Sequence, residues 1–273
     1  MESWRIEEVN FCIVDTETTG FHSYFGDRIC EIGALVIKNS KEKNSFQSLI
    51  NPQRNISPGA FSVHHITDEM VKDAPTFDKI VPRLLRLFEG AVLVFHNAPF
   101  DLNFLLPQLH SLGLPSLNNP VVDTLILARK HFNFPSNALG NIARALHFPV
   151  ENEHRAMGDV RITKQIFVHF LDKLKLQHKI NTLNDLLELQ GGSVPSPQLQ
   201  KIILPPLLDE AFTSKKPIKI KYISAFGTET IREITPIQVA WHNDYTYLVG
   251  FCKLRKEQRT FRLDRILAMS PLP

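Results

Sequence analysis

Two hydrophobic rhythms run along this chain, and the change from one to the other divides it. Residues 9–16 carry an apolar run that ends at Asp15 and Glu17, in the stretch FCIVDTETTG. Residues 29–38 and 45–51 give two further strand signals, the last closing at the Asn51-Pro52 break. Ile80, Leu84, Leu87 and Phe88 then recur at helical spacing and predict a helix over 77–88. AVLVF at 91–95 is short and wholly apolar, the pattern of a strand buried on both faces. Helices are predicted over 99–112, 124–131, 138–146 and 159–174. Strands first, then strand–helix alternation, imply an α/β layer fold with a mixed central sheet flanked by helices.

GGSVPSP at 191–197 marks a boundary of Gly, Ser and Pro. Beyond it the period shortens. One helix signal at 204–214 precedes strand signals at 218–224, 230–235, 237–241, 245–252 and 259–263. Strands so closely spaced predict a small β-barrel or sandwich. The expected division is 1–190, a linker at 191–200, and 201–273.

The chain has 273 residues and is 43% hydrophobic, which excludes wholesale disorder. It has no apolar run near the ~18–20 residues a membrane span needs. The start, MESWRIEEVN, lacks the apolar core of a signal peptide. Cys12, Cys30 and Cys252 have no paired metal spacing and read as reduced thiols. A cytoplasmic protein with no membrane partner is expected. The net charge is +3. Residues 198–273 carry 12 Lys+Arg against 7 Asp+Glu, so a basic second part follows an acidic first. That asymmetry fits either a polyanionic partner or an ordinary solvated surface.

Residues i and i+2 of a strand share a face, so Asp15 and Glu17 aim at one point. Asp101 in HNAPFDLNFL and Asp123 in VVDTLILAR fall at strand-to-helix junctions. Asp159 in EHRAMGDVRITKQIF opens a helix five residues after His154. Taken singly, each is as well explained by helix capping, by the helix dipole or by a charged strand end. Asn97 also reads as a cap.

In this order, DTETTG (15–20), VHHIT (63–67), HNAPFDLNFL (96–105), DTLILAR (123–129) and HRAMGD (154–159) closely resemble the DnaQ-like, or DEDDh, 3′→5′ exonucleases. The likeness covers about residues 8–190. It implies an RNase H-like fold and places Asp15, Glu17, Asp101 and Asp159 as the four metal-holding acids. Two divalent ions are implied, and all-oxygen ligation selects Mg²⁺ or Mn²⁺ over zinc. His154 matches the family's general base, a task that suits an imidazole near neutral pH. Thr16, Thr18, His64, Asn97 and Phe100 match positions that contact substrate or shape its cleft. Asp123 matches an acid that orders the site. His65 stands where glycine is common, and Gly59 where polymerase-subunit relatives carry a glutamate.

IKY (220–222), REITP (232–236), YTYLVGF (245–251) and RTFRLDRI (259–266) resemble the WYL domain, which implies an SH3-like β-barrel. Such domains are similar to modules that bind nucleotides or single strands. Tyr222, Tyr247, Arg259, Arg262 and Arg265 are the candidates for that ligand. Against them, Tyr245, Tyr247, Val249 and Phe251 share one strand face and read as core. The expected function is a metal-dependent 3′→5′ exonuclease on DNA, of the repair or proofreading kind. RNA is the alternative substrate. A non-catalytic nucleotide sensor on a nuclease scaffold is the alternative class. A polymerase subunit is disfavoured, since the WYL-like segment occupies the place of a polymerase-binding tail.

Overall fold

The apolar run before Asp15 becomes β1 (Asn10–Thr18) in the computed structural model, which describes residues 4–23, 26–195, 204–242 and 245–272. The described residues form two units, Met1–Phe21 with Arg28–Pro197, and His22–Asp27 with Gln198–Pro273.

In the first unit, β2 (Ile29–Lys38) and β3 (Lys41–Leu49) continue from β1 as an antiparallel meander. α1 (Pro58–His64), α2 (Asp68–Val71) and α3 (Phe77–Phe88) follow. β4 (Ala91–Phe95) returns parallel to β1, and beyond α4 (Ala98–Ser111) the short β5 (Val121–Asp123) lies parallel to β4. The sheet is therefore mixed, in the order β3-β2-β1-β4-β5. α5 (Thr124–His131), α6 (Leu139–Ala145), α7 (Ala156–His178) and α8 (Leu183–Gln190) complete the unit.

Period two along β1 feeds two cores. Cys12 and Val14 join α3 and α4 through Leu84, Leu102 and Leu105. Phe11 and Ile13 join α5 and α7 through Leu127, Val160 and Phe167, with the Phe11 and Phe167 rings 4.9 Å apart. Each such side chain contributes ~1.5–3 kcal/mol on burial. Asp15 and Glu17 extend the α7-facing row, and Thr16 and Thr18 the α4-facing row. The β4 residues are buried throughout, as a continuous apolar run requires.

Gly33 of β2 lets α7 come close. A Cβ there would stand 2.8 Å from the Ala156 carbonyl carbon and 2.9 Å from the Met157 nitrogen. Both are backbone atoms at the start of α7, so Gly33→Ala must push that helix off the sheet. The expected loss is ~1–3 kcal/mol, read as a lower urea midpoint.

The stretch expected to be a slack linker is partly packed. Gln190 accepts from the Asp123 amide at 2.7 Å and donates to Val121 O and Gly192 O. Ser193 Oγ accepts from Val121 N, and Val194 is buried in the α4-side core. Residues 196–203, including the rest of that linker and the start of 201–273, lie outside the described residues.

In the second unit, α9 (Pro206–Ser214) packs on an antiparallel sheet of β6 (Ile218–Ile223), β7 (Glu229–His242), β8 (Tyr245–Cys252), β9 (Glu257–Arg262) and β10 (Ile266–Pro271). The order is β10-β6-β7-β8-β9, and among the described residues no ladder joins β9 to β10. The expected closed barrel is thus a five-stranded sheet with two edges. A 3₁₀ turn at Leu263–Arg265 carries the chain from one edge to the other.

Two strands expected at 230–235 and 237–241 are one. β7 runs through Pro236 because its register shifts between Pro236 and Gln238, and a bulge tolerates the missing N–H. The expected core face of β8 holds only at Val249, which is fully buried. Leu248 and Cys252 enter the core, while Tyr245 and Phe251 are exposed. Among the described residues, no helix is long and apolar enough to cross a membrane.

Candidate active site

β1 ends in a polar face because two elements bring acids to it from opposite sides of the sheet. On the α7 side, ligand oxygens of Asp15, Glu17 and Asp159 lie within 4.8 Å of one another. Asp159 sits in the first turn of α7 and accepts from the His154 amide at 3.3 Å. On the α4 side, Asp101 is buried in that helix's first turn and accepts from Thr16 Oγ1 at 2.8 Å. So three acids form one group, and the fourth is held beside it through the threonine between Asp15 and Glu17.

A cavity of about 180 Å³ opens on this edge. It is lined by Asp15, Glu17, Asp101, Asp159 and His154, and also by Thr16, Thr18, His64, Asn97 and Phe100. Asp123 is not in its lining. Its carboxylate instead accepts from the Asn97, Ala98 and Leu125 amides at 2.8–2.9 Å. It thereby fixes the start of α4, and so Asp101, while capping α5. Asn97 makes no side-chain cap bond, contrary to the capping alternative. Its backbone is left-handed, at φ 76°.

His64 lines the cavity with its ring held by two hydrogen bonds. It is buried, its Nδ1 accepts from the Ile66 amide at 3.0 Å, and its Nε2 lies 3.0 Å from Thr18 O. An amide must donate and a carbonyl must accept, so the proton is on Nε2 and both nitrogens are engaged. Burial lowers its pKa, which favours this neutral form. His64 braces the end of β1 at the cavity wall.

The electrostatics are those of acids lacking a counter-charge. Burial, then the neighbouring Asp101, Asp159 and Glu17, hold the Asp15 carboxyl well above its ordinary range. Burial and Asp159 push Glu17 up to about 8. Burial raises Asp101 to about 7 against the opposing Thr16 hydrogen bond. It raises Asp159 to about 6 against the His154 amide. Among the described residues none of the four has a Lys or Arg ion pair. An all-oxygen, anion-rich group of this kind fits a hard divalent cation.

A fifth acid was not singled out from sequence. Glu31 of β2 pairs in register with Glu17 and is fully buried. Arg155 donates to both its oxygens, at 2.7 and 3.0 Å, and the Ala156 amide adds a bond at 3.1 Å. Gln47 Nε2 completes the set at 3.0 Å. Burial raises the Glu31 pKa, but these donors outweigh it and hold it below its ordinary range. Glu31 is thus a charged bracket that binds the start of α7, and the His154 turn before it, to the sheet. Phe21, Ala60, Val63 and His96 also line the cavity unforeseen. Of these, α1 had a readable signal, since Ser57 caps it with Pro58 in its first turn.

Arg155→Ala would leave a buried carboxylate without its cation. A loss of ~3 kcal/mol is expected, since removing one partner of a buried pair strands the other. Denaturant unfolding checks it.

In the second unit the five ligand candidates are largely committed to other contacts. Tyr222 packs edge-on to Phe261 at 5.1 Å. Arg262 lies 3.4 Å over the Tyr245 ring and binds Asp264 at 3.0 Å. Arg259 pairs with Glu257 at 3.0 Å. Tyr247 faces Arg262 across the β8–β9 ladder, and Arg265 sits in the 3₁₀ turn.

A mixed sheet of this order, with an acid group at the end of its first strand, defines an RNase H-like exonuclease fold. The family profile described as "Exonuclease" (RNase T) matches residues 12–167, and the one described as "WYL domain" matches 206–271. The chain belongs to this DnaQ-like exonuclease family and carries a WYL domain after it. It is 40% identical over 175 residues to "DNA polymerase III PolC-type" of Caldanaerobacter subterraneus subsp. tengcongensis, covering 64% of this chain and 12% of that one. It is 30% identical over 238 residues to "3'-5' exonuclease DinG" of Bacillus subtilis, covering 87% of this chain and 25% of that one. The chain thus spans about an eighth to a quarter of these curated relatives. Among solved structures, "Exonuclease X in complex with 5' overhanging duplex DNA" aligns with TM-score 0.54 and 25% identity. That alignment covers 66% of this chain and 99% of that one. "Exonuclease I (apo)", at 17% identity and TM-score 0.55, covers 97% of this chain and 64% of that one, and shares the fold.

Proposed function

We propose that this chain is a metal-dependent 3′→5′ exonuclease that hydrolyses phosphodiester bonds at the 3′ end of DNA. The carrying observation is the group of Asp15, Glu17 and Asp159, with Asp101 and His154 lining the same cavity. The DNA-bound Exonuclease X and the polymerase and DinG relatives support nucleic acid, and DNA first, as the substrate. They also support a proofreading or repair setting.

Asp15, Glu17 and Asp159 would hold one Mg²⁺ or Mn²⁺, and Asp101 with Asp15 a second. Bound there, the ions would acidify a water and offset charge on the phosphate and the leaving oxygen. The chain's own residues do the rest. Thr16 fixes the Asp101 carboxylate, and Asp123 fixes the start of α4. His154, on the wall of the cavity, takes the proton of the attacking water on its imidazole. Thr18, Asn97 and Phe100 form the wall against which the terminal nucleotide rests. The basic second part supplies further affinity for a strand or a nucleotide. Its half-buried Tyr247 and Arg265 are the contacts of choice. Three buried free thiols fit a reducing, cytoplasmic setting.

The test uses 5′-labelled single strands of DNA and RNA of one sequence, in Mg²⁺, Mn²⁺ or EDTA. Laddering from the 3′ end that needs metal, and is faster on DNA, is expected. Intact strands under every metal condition would overturn the enzymatic reading.

A further inference from the structure

β5 is the shortest strand of the exonuclease unit and lies at the edge of its sheet. It pairs with β4 on one side, and among the described residues no strand covers the other. That free edge presents the Val121 amide, the Val121 carbonyl and the Asp123 amide. Three residues paired on one side are weakly held. The segment 190–194 closes the edge instead. Gln190 Oε1 accepts from Asp123 N at 2.7 Å, and its Nε2 donates to Val121 O at 3.0 Å. Ser193 Oγ accepts from Val121 N at 2.8 Å, and Val194 N donates to Val121 O at 3.2 Å. The side-chain amide of Gln190 thus stands in for a sixth strand.

We propose that Gln190 is a positioning residue for the nuclease reaction, fixing Asn97 and Asp101 in the acid-lined cavity by way of Asp123, an inference that rests on the exonuclease reading of that cavity. The path is short. Gln190 holds the Asp123 main chain, and the Asp123 carboxylate accepts from the Asn97 and Ala98 amides, each at 2.9 Å. Those amides are orphan donors at the start of α4, where Asn97 makes no side-chain cap bond. A carboxylate 26 positions away therefore does the work of the cap. Asp101 lies in the first turn of that helix, so a shift of β5 moves Asp101 and the Asn97 wall together. Gln190, Asp123 and Asp101 are all buried, so the path runs through packed protein.

Gln190 is itself held. Its carbonyl accepts from Lys130 Nζ at 2.6 Å, and the Leu189 carbonyl accepts from His131 Nε2 at 3.0 Å. Both donors come from the last turn of α5, the helix that Asp123 caps. Gly191 closes α8 in the left-handed region, at φ 99°, where a Cβ would stand 2.6 Å from Lys130 Nζ. The Gln190 side chain therefore leaves a backbone fixed on both sides. Gln190 belongs to none of the sequence motifs and is not in the lining of the cavity. Its influence on the site passes through Asp123.

The experiment compares the full chain with its Gln190→Leu and Gln190→Asn variants on a 5′-labelled DNA strand in Mg²⁺, well below their melting temperatures. Leucine keeps much of the bulk without the bonds. Asparagine stays polar but is one methylene short of β5, and it serves where the leucine variant does not fold. Each is expected to lower kcat by ~10–100-fold, with KM changed by less than about threefold. Hydrogen exchange of the metal-free protein is the second readout. The amides of residues 96–101 should exchange ~10-fold faster in both variants, while those of α3 keep wild-type rates. A glutamine that only stabilises the fold would lower the melting temperature and leave kcat at the wild-type value, and that result would overturn the proposal. So would a lower kcat with wild-type exchange at the start of α4, because the effect would then reach the site by another route. A loss confined to KM would overturn it as well. A wild-type protein that leaves the strand intact would defeat the exonuclease reading instead, and the exchange rates would still decide whether Gln190 fixes α4.

Discussion

Asp15→Asn is expected to abolish nuclease activity and, in metal-free buffer at pH 8, to raise stability. The two effects have one origin. Asp15 belongs to the three-acid group on one side of the sheet and is repelled by Asp101 on the other. Its loss removes the shared ligand, and a bound cation in such a site contributes several kcal/mol of transition-state stabilisation. At 1.36 kcal/mol per tenfold, the rate should fall by ~10³–10⁴.

The stability effect follows from the raised carboxyls. The folded protein binds protons on these groups at pH values where the unfolded chain has released them. Ordinary values are 3.8 and 4.5, while Asp159, Asp101 and Glu17 are held at about 6, 7 and 8. Where the folded state binds more protons, stability falls as pH rises. The metal-free wild type should thus be most stable near pH 4 and weaken progressively up to pH 8. Asp15→Asn removes one buried charge and relieves its neighbours, so its melting temperature should exceed that of wild type at pH 8 and converge with it toward pH 4.

Divalent metal reverses the order. At ~100 Kd of Mg²⁺ or Mn²⁺, binding adds ~2.7 kcal/mol to the folded wild type. That is a rise of ~5–10 °C for a unit of this size. Protons compete for the same oxygens, so the rise should shrink at pH 6. Asp15→Asn should show little of it at any pH. Thermal melts of both proteins, with and without metal at pH 6 and pH 8, check every term. An Asp15→Asn protein less stable than wild type without metal, or stabilised equally by metal, would refute this electrostatic account.

The features legible in the sequence were those set by neighbours along the chain. The wholly apolar 91–95 had to be a central strand, and the stripe Ile80, Leu84, Leu87, Phe88 had to be a helix. Asp15 and Glu17 share a face because strand period is two, whatever they face. Five spaced motifs then added Asp101 and Asp159, which local period alone left as caps, and His154. What escaped was set by partners remote in sequence. Glu31 reads as a stray charge in an apolar strand until Arg155, 124 positions later, closes on it. α7 begins at Ala156 rather than Asp159 because Glu31 satisfies the Ala156 amide. Nothing within three residues shows that acceptor. The motif that offered His64 does not show what holds its ring. Its neutral, doubly bonded ring depends on Thr18 O, 46 residues away. In the second unit, β8 offers apolar or aromatic residues on both faces, so alternation could not choose its core face. Contact with α9 and β6 chose it.

His154→Asn separates the proton acceptor from the metal ligands. His154 has left-handed φ of +62°, just before α7, and its backbone amide donates to Asp159. Asparagine tolerates that backbone region better than most residues, so the turn and its amide bond should survive. The Arg155–Glu31 bracket that anchors the turn is untouched. What is lost is an imidazole able to accept a proton from water. The expected fall in kcat is ~10²–10⁴, with KM for the strand changed by less than about threefold. The metal-dependent rise in melting temperature should match that of wild type, since Asp15, Glu17 and Asp159 are all present. This pairing of lost turnover with intact metal stabilisation is what Asp15→Asn does not show. Two outcomes would each remove His154 from the catalytic step. One is a kcat within tenfold of wild type between pH 6 and pH 8. The other is a loss of turnover accompanied by an equal loss of metal stabilisation, which would make the residue a support for the acid group.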